Sequence, residues 1–157
     1  MKKLFTLFLP LFLASTIPVV AENTPPPAAP SGESGSITVH VKGLNKAEGQ
    51  LGVALYTNQK GFPDKTEHAF LAQVHKITST GEMTVVFENV PYGSYAVSVL
   101  HDENSNGKMD KTFFGIPKEG FGVSNNPKIR RGPPIFSESL FTLNAKQLEL
   151  TITLNYL

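Results

Sequence analysis

The sequence predicts an all-β fold: a two-sheet antiparallel sandwich with one long ordered loop. Three observations lead there. Apolar residues recur at every second position in short runs between Ile37 and Leu154. Clusters of turn-forming residues separate those runs. Helical spacing is hard to find, and Lys65 to Gln73 is the one stretch with room for a turn or two of helix. Strands with one apolar face must bury those faces against each other, and two packed layers do so.

The chain opens with Lys2 and Lys3, then an apolar run from Leu4 to Val20 interrupted by Pro10 and Pro18, then Val19-Val20-Ala21. This is the pattern of a signal peptide cleaved after Ala21, so residues 1–21 read as an export signal and the mature protein as periplasmic or secreted. The apolar run is too broken for a membrane span, which wants about 20 residues. Residues 22–36 are rich in proline, serine and glycine and read as a linker. Residues 37–157 are one domain's worth of chain.

The chain has no cysteine. Lipid attachment to an N-terminal cysteine and a disulfide framework are therefore both excluded. Stability must come from the apolar core, with help from a bound ion. Loss of Lys2 and Lys3 leaves basic and acidic residues nearly balanced. That balance argues against nucleic acid and makes no electrostatic case for an anionic membrane surface. The one basic knot, Lys128 with Arg130 and Arg131, reads as a solvated loop.

In order, the stripes are Ile37/Val39/Val41, Leu51/Val53/Leu55, a mixed stretch from Phe70 to Ile77, Met83/Val85/Phe87, Tyr95/Val97/Val99, Phe141/Leu143, and Leu148/Leu150/Ile152/Leu154. Turns fall at Asn45 to Gly49, Ser79 to Gly81 and Asn89 to Gly93. In the last, Pro91 fixes φ and Gly93 is free to take positive φ. From His101 to about Ile135 the alternation stops, yet the segment is rich in aromatics, glycine and proline. A loop this long with so many aromatics is an ordered functional excursion.

That excursion opens with Asp102-Glu103-Asn104-Ser105-Asn106-Gly107-Lys108-Met109-Asp110. Oxygen-bearing side chains alternate around a glycine, the pattern by which loops wrap calcium with six to eight oxygens. Asp102, Asn104, Asn106, the carbonyl of Lys108 and Asp110 are the expected metal ligands, with Glu119 a possible recruit. Phe113 stands where an EF-hand places its bidentate glutamate, and flanking helices are missing, so an EF-hand is excluded. The expectation is a weak structural calcium site embedded in a β protein.

The run Phe87-Glu88-Asn89-Val90-Pro91-Tyr92-Gly93-Ser94-Tyr95 leads into His101-Asp102-Glu103-Asn104. Phe113-Phe114-Gly115-Ile116-Pro117-Lys118-Glu119-Gly120-Phe121-Gly122 and Pro133-Pro134 follow. Together these resemble a family of bacterial exported β-sandwich proteins known as a domain of unknown function. Val90 to Tyr95 is also similar to the corner of transthyretin-like and carboxypeptidase-regulatory-like domains. The resemblance implies an immunoglobulin-like or transthyretin-like sandwich and supplies no reaction.

Catalytic motifs are missing: no Gly-x-Ser-x-Gly, no His-Glu-x-x-His, no phosphate-cradling glycine loop and no cysteine nucleophile. No catalytic residue is assigned. His40 and His68 read as solvated. His101 ends its strand in phase with Val97 and Val99, either as a strand-end histidine or as an orienting partner for Asp102. The expected function is a non-enzymatic envelope accessory or binding module. Phe113, Phe114, Phe121 and Phe136 would be its ligand surface for a glycan, a peptide or an envelope protein. The rival is a small periplasmic hydrolase built from His101, Asp102, Asp110 and Glu119.

Overall fold

A computed structural model describes residues 32–128, 130 and 132–157. The segment read as a signal peptide, most of the segment read as a linker, Ile129 and Arg131 lie outside the described residues. Residues Gly32–Leu157 form one compact unit containing, among the described residues, every strand and the whole core.

Eight strands are present among the described residues. They are β1 Ser34–Leu44, β2 Gln50–Tyr56, β3 Leu71–Lys76, β4 Gly81–Pro91, β5 Gly93–Asp102, β6 Gly120–Val123, β7 Phe141–Leu143 and β8 Gln147–Thr153. One sheet runs β4-β1-β8; the other runs β3-β2-β5-β6, with β7 pairing the start of β5. The sheets pack their apolar stripes together. Ile37, Val39, Val41, Leu51, Val53, Leu55, Val85, Phe87, Val97, Val99 and Ile152 are all buried, as the alternation predicts. Each such side chain contributes roughly 1.5–3 kcal/mol relative to exposure. A short 3-10 turn at Thr66–His68 and a single helical turn at Phe136–Ser139 (α1) complete the fold.

Four details depart from expectation. β1 starts inside the segment read as linker, pairing Ser34 with Pro91 and Gly35 with Val90, because backbone pairing needs no apolar side chain. The sandwich is not antiparallel throughout. β8 runs parallel to β1, placing Ile152 beside Val41; it arrives after β7 has visited the other sheet, so no hairpin dictates its direction. β6 lies in the stretch read as free of strands. Its Gly-Phe-Gly-Val sequence hides a strand because Gly122 lies against β8, where a Cβ would come 2.7 Å from Ile152 Cγ2. At the corner, Asn89 and not Gly93 takes the left-handed conformation, at φ 55°. Asparagine tolerates that region. The Tyr95 hydroxyl donates to the Pro91 carbonyl at 2.7 Å and ties the corner where the chain changes sheets.

The fold places two features at one end of β5. Its last inward side chain is His101, and its last outward side chain is Asp102. The long connection from Glu103 to Glu119 starts there and returns to the same sheet as β6.

Candidate functional site

Asp102 is 1% exposed despite its charge. Its Oδ1 accepts the Asn106 backbone N–H at 3.0 Å, and its Oδ2 accepts the Gly107 N–H and the Gln50 side-chain amide, both at 2.7 Å. Asn104 Oδ1 accepts the Asn106 N–H at 3.1 Å, and Asn106 Oδ1 accepts the Lys108 N–H at 3.0 Å. The loop thus coils around its own first residue. Such side-chain-to-backbone bonds are the ordinary use of Asp and Asn in turns.

Asp110 closes the coil. Its two carboxylate oxygens accept the side-chain amides of Asn104 at 2.7 Å and Asn106 at 3.2 Å. Glu119, 4% exposed, clasps both ends of the loop through the backbone N–H groups of Glu103 (3.0 Å) and Asp110 (2.8 Å). Glu103 pairs with Lys46, whose ammonium is held above its ordinary pKa first by that hydrogen bond. Lys108 is exposed.

All five expected ligand positions therefore lie in one coil, joined by short hydrogen bonds. The donor set is oxygen only, which suits a hard cation. Among the described residues no three acidic or histidine side chains gather around one point, so an ion would be held by two carboxylates, two amides and a carbonyl. The amides of Asn104 and Asn106 now turn their NH₂ groups toward Asp110. Half-turns of those two amides would bring oxygens there instead, at the cost of the bonds their Oδ1 atoms accept from the Asn106 and Lys108 N–H groups, a cost that a bound cation would have to offset.

His101 does not join this site. It is fully buried on the core side of β5, whereas Asp102 faces the other way. Its Nε2–H donates to the Glu48 carbonyl at 3.0 Å, and its Nδ1 accepts the Tyr156 hydroxyl at 2.7 Å. Of the two readings of His101, the strand-end histidine fits this geometry and the orienting partner of Asp102 does not. The alternation that put His101 in phase with Val97 and Val99 necessarily put the next residue on the opposite face. Neither Gln50 nor Tyr156 stood out in the sequence as a partner for this end of β5, because each comes from a distant segment.

Burial raises the Tyr156 hydroxyl above its ordinary 10.0, and likewise those of Tyr56 and Tyr95. Between pH 10 and the folded-state values the native protein keeps protons that the unfolded chain has lost. Stability should therefore hold up to about pH 10 and fall above it. Tyr156→Phe should make the alkaline decline shallower in thermal melts across that range.

The expected aromatic surface divides in two. Phe121 and Phe136 are half-buried, and Phe136 packs edge-on against Phe62 with ring centroids 5.5 Å apart. Phe113 and Phe114 stand 97% and 85% exposed. Between these groups lies a cleft of about 670 Å³ over the outer face of the β3-β2-β5-β6 sheet. Gly52, Ala72, Val74, Ser98 and Leu100 line its strand side; Pro63, Met109, Phe114, Ile116 and Pro133 are among the loop residues around it. The sequence carried a hint. Gly52 and Ala54, small residues between Leu51, Val53 and Leu55, leave room on the sheet face that a two-layer sandwich turns to solvent.

Most polar side chains at the cleft already have partners. Gln50 binds Asp102, Gln73 the Val86 carbonyl, Ser98 the Pro63 carbonyl, Lys111 Asp64 and Arg130 Glu138. An apolar interior with its polar groups engaged favours an apolar ligand over a sugar, which needs converging free donors and acceptors.

Residues 39–151 match the family described as "Uncharacterized protein conserved in bacteria (DUF2141)". No curated protein and no solved structure matches the chain.

Proposed function

The chain belongs to this conserved bacterial family, and from its own geometry we propose that it is an exported, non-enzymatic binding module of the cell envelope. Its ligand is an apolar segment seated in the cleft over the β3-β2-β5-β6 sheet. The observation that carries this reading is the cleft itself: its 670 Å³ falls in the roughly 300–1,000 Å³ range of small-molecule sites, and its lining is dominated by apolar side chains. Export rests on the amino-terminal sequence pattern.

The hydrolase alternative finds less support. A general base must reach its substrate. His101 has no exposure, both of its ring nitrogens are engaged, and it lies on the face of β5 away from Asp102. Asp102 and Glu119 are occupied in holding loop N–H groups.

Gly52 offers a clean test. A Cβ there would meet nothing closer than Leu100 at 4.0 Å, so a larger side chain occupies the cleft without disturbing the sheet. Gly52→Phe should melt near the parent temperature yet weaken binding of apolar peptides or fatty acids by at least tenfold in calorimetric titration. Parent protein that binds neither probe, or a Gly52→Phe variant that binds both unchanged, would refute the cleft assignment.

We further propose that the Asp102–Asp110 coil takes calcium as a structural ion. Binding to the native state alone adds about 1.4 kcal/mol at ten times the dissociation constant. Calcium should raise the melting temperature of the parent by a few degrees over chelator. Asp110→Asn should abolish that increment while leaving the melt in chelator close to the parent's. Identical parent melts at millimolar calcium and in chelator would sink the ion assignment.

A further inference from the structure

We propose that the hairpin formed by residues 111–117 is an interfacial anchor that inserts Phe113 and Phe114 into an anionic lipid surface. The two rings sit in sequence at the hairpin's apex, 97% and 85% exposed, with centroids 5.5 Å apart and nearly perpendicular planes. Ile116 beside them is 47% exposed. Leaving this much apolar surface in water opposes the hydrophobic effect, so a partner that buries it is expected.

The backbone beneath the rings is built for insertion. Thr112 N–H donates to the Ile116 carbonyl at 2.8 Å, Gly115 N–H to the Thr112 carbonyl at 2.9 Å, and Ile116 N–H to the Thr112 hydroxyl at 3.1 Å. Lys118 N–H donates to the Asp110 carbonyl at 2.9 Å and closes the base. Four backbone N–H groups of the hairpin, those of Thr112, Gly115, Ile116 and Lys118, are thus satisfied internally, which lowers the desolvation cost of entering a lipid interface. Its fixed conformation leaves little entropy to lose on binding.

Charge selects the surface. Lys108, Lys111 and Lys118 surround the tip and are exposed, and from Asn106 to Lys118 the single acid is Asp110. Asp110 is engaged by two amides, and the neighbouring Glu119 is buried. Neither Lys108 nor Lys118 has an acidic partner among the described residues, while Lys111 pairs with Asp64. Apolar apex and basic flank are the arrangement that peripheral proteins use at anionic headgroups. The near balance of charge over the whole chain conceals two exposed lysines beside the tip, Lys108 and Lys118, that lack an acidic partner among the described residues.

Size argues against a protein as occupant of the tip. Two phenylalanines bury about 150–250 Å² each, well short of the roughly 800 Å² per partner of a standard protein interface. Among the described residues no helix is long and apolar enough to cross a membrane, so contact would be peripheral.

The test is co-sedimentation of residues 32–157, which carry the complete core, with phosphatidylcholine vesicles with and without phosphatidylglycerol. Binding is expected to the anionic vesicles and to weaken as salt is raised. Phe113→Ser, on a residue outside the cleft, should weaken it about tenfold, and Lys118→Glu, also outside the cleft and the acidic coil, should weaken it severalfold. All variants should keep the parent melting temperature and the cleft's affinity for apolar probes. No binding to anionic vesicles overturns the proposal, as does binding undiminished by Phe113→Ser. Loss of parent self-association in Phe113→Ser without vesicle binding would reassign the tip to a protein contact.

Discussion

Asp102→Ala is expected to melt about 10 °C below the parent in chelator, and a few degrees further below it in calcium, where the ion's increment is lost as well. The carboxylate is 1% exposed and accepts three hydrogen bonds, two from the loop backbone and one from Gln50. Hydrogen bonds to a charged group contribute about 1.5–3 kcal/mol each. Asn106 and Gly107 are exposed and their N–H groups can rehydrate, so the net loss is about 3 kcal/mol rather than the sum. For a domain of this size that converts to roughly 10 °C. The loss persists without calcium because all three bonds are internal to the protein. A variant that melts within two or three degrees of the parent would mean that Glu119 alone holds the loop.

Gly49→Ala should do more, removing about 4 kcal/mol or abolishing cooperative folding. Gly49 takes φ +71°, which costs an alanine about 1–2 kcal/mol by itself. Its Cβ would lie 2.2 Å from the Asp102 carbonyl oxygen and 2.7 Å from Glu103 Cα, both backbone atoms at the end of β5. No rotamer relieves an overlap with backbone, so the strand end must move. That movement disturbs the bond from His101 to Glu48 and the bond from Ile77 N–H to the Gly49 carbonyl. Urea unfolding reads the result directly, and a midpoint near the parent's would show that the turn re-forms elsewhere. Gly107→Ala is the control. It shares the left-handed φ, at +79°, but has open space around its Cβ, so its cost should stay near 1 kcal/mol.

The core was legible from Ile37 to Leu154 because period-two burial is a local property: each side chain's face follows from its neighbour's. The same rule sets His101 and Asp102 on opposite faces of β5. β6 escaped notice because glycine has no side chain to alternate, and its pairing depends on how closely β8 approaches Gly122. The parallel pairing of β8 with β1 escaped for a related reason. Residue pattern sets which face is buried, while direction depends on the route taken between sheets.

The turn chemistry of Asp102 to Asp110 is likewise local, since Asp and Asn reach backbone groups two to five residues away. The sequence by itself therefore determined the strand stripes, the buried faces and the coiling of the acidic loop. Tertiary structure alone decided that Gln50 and Glu119 would clasp that loop and that Tyr156 would hold His101. It also decided that the loop would fold back over small side chains to leave a cleft. Those partners lie 9 to 55 residues apart in the chain, and their contact is set by which strands pair and where the loop returns to the sheet, which no local pattern encodes.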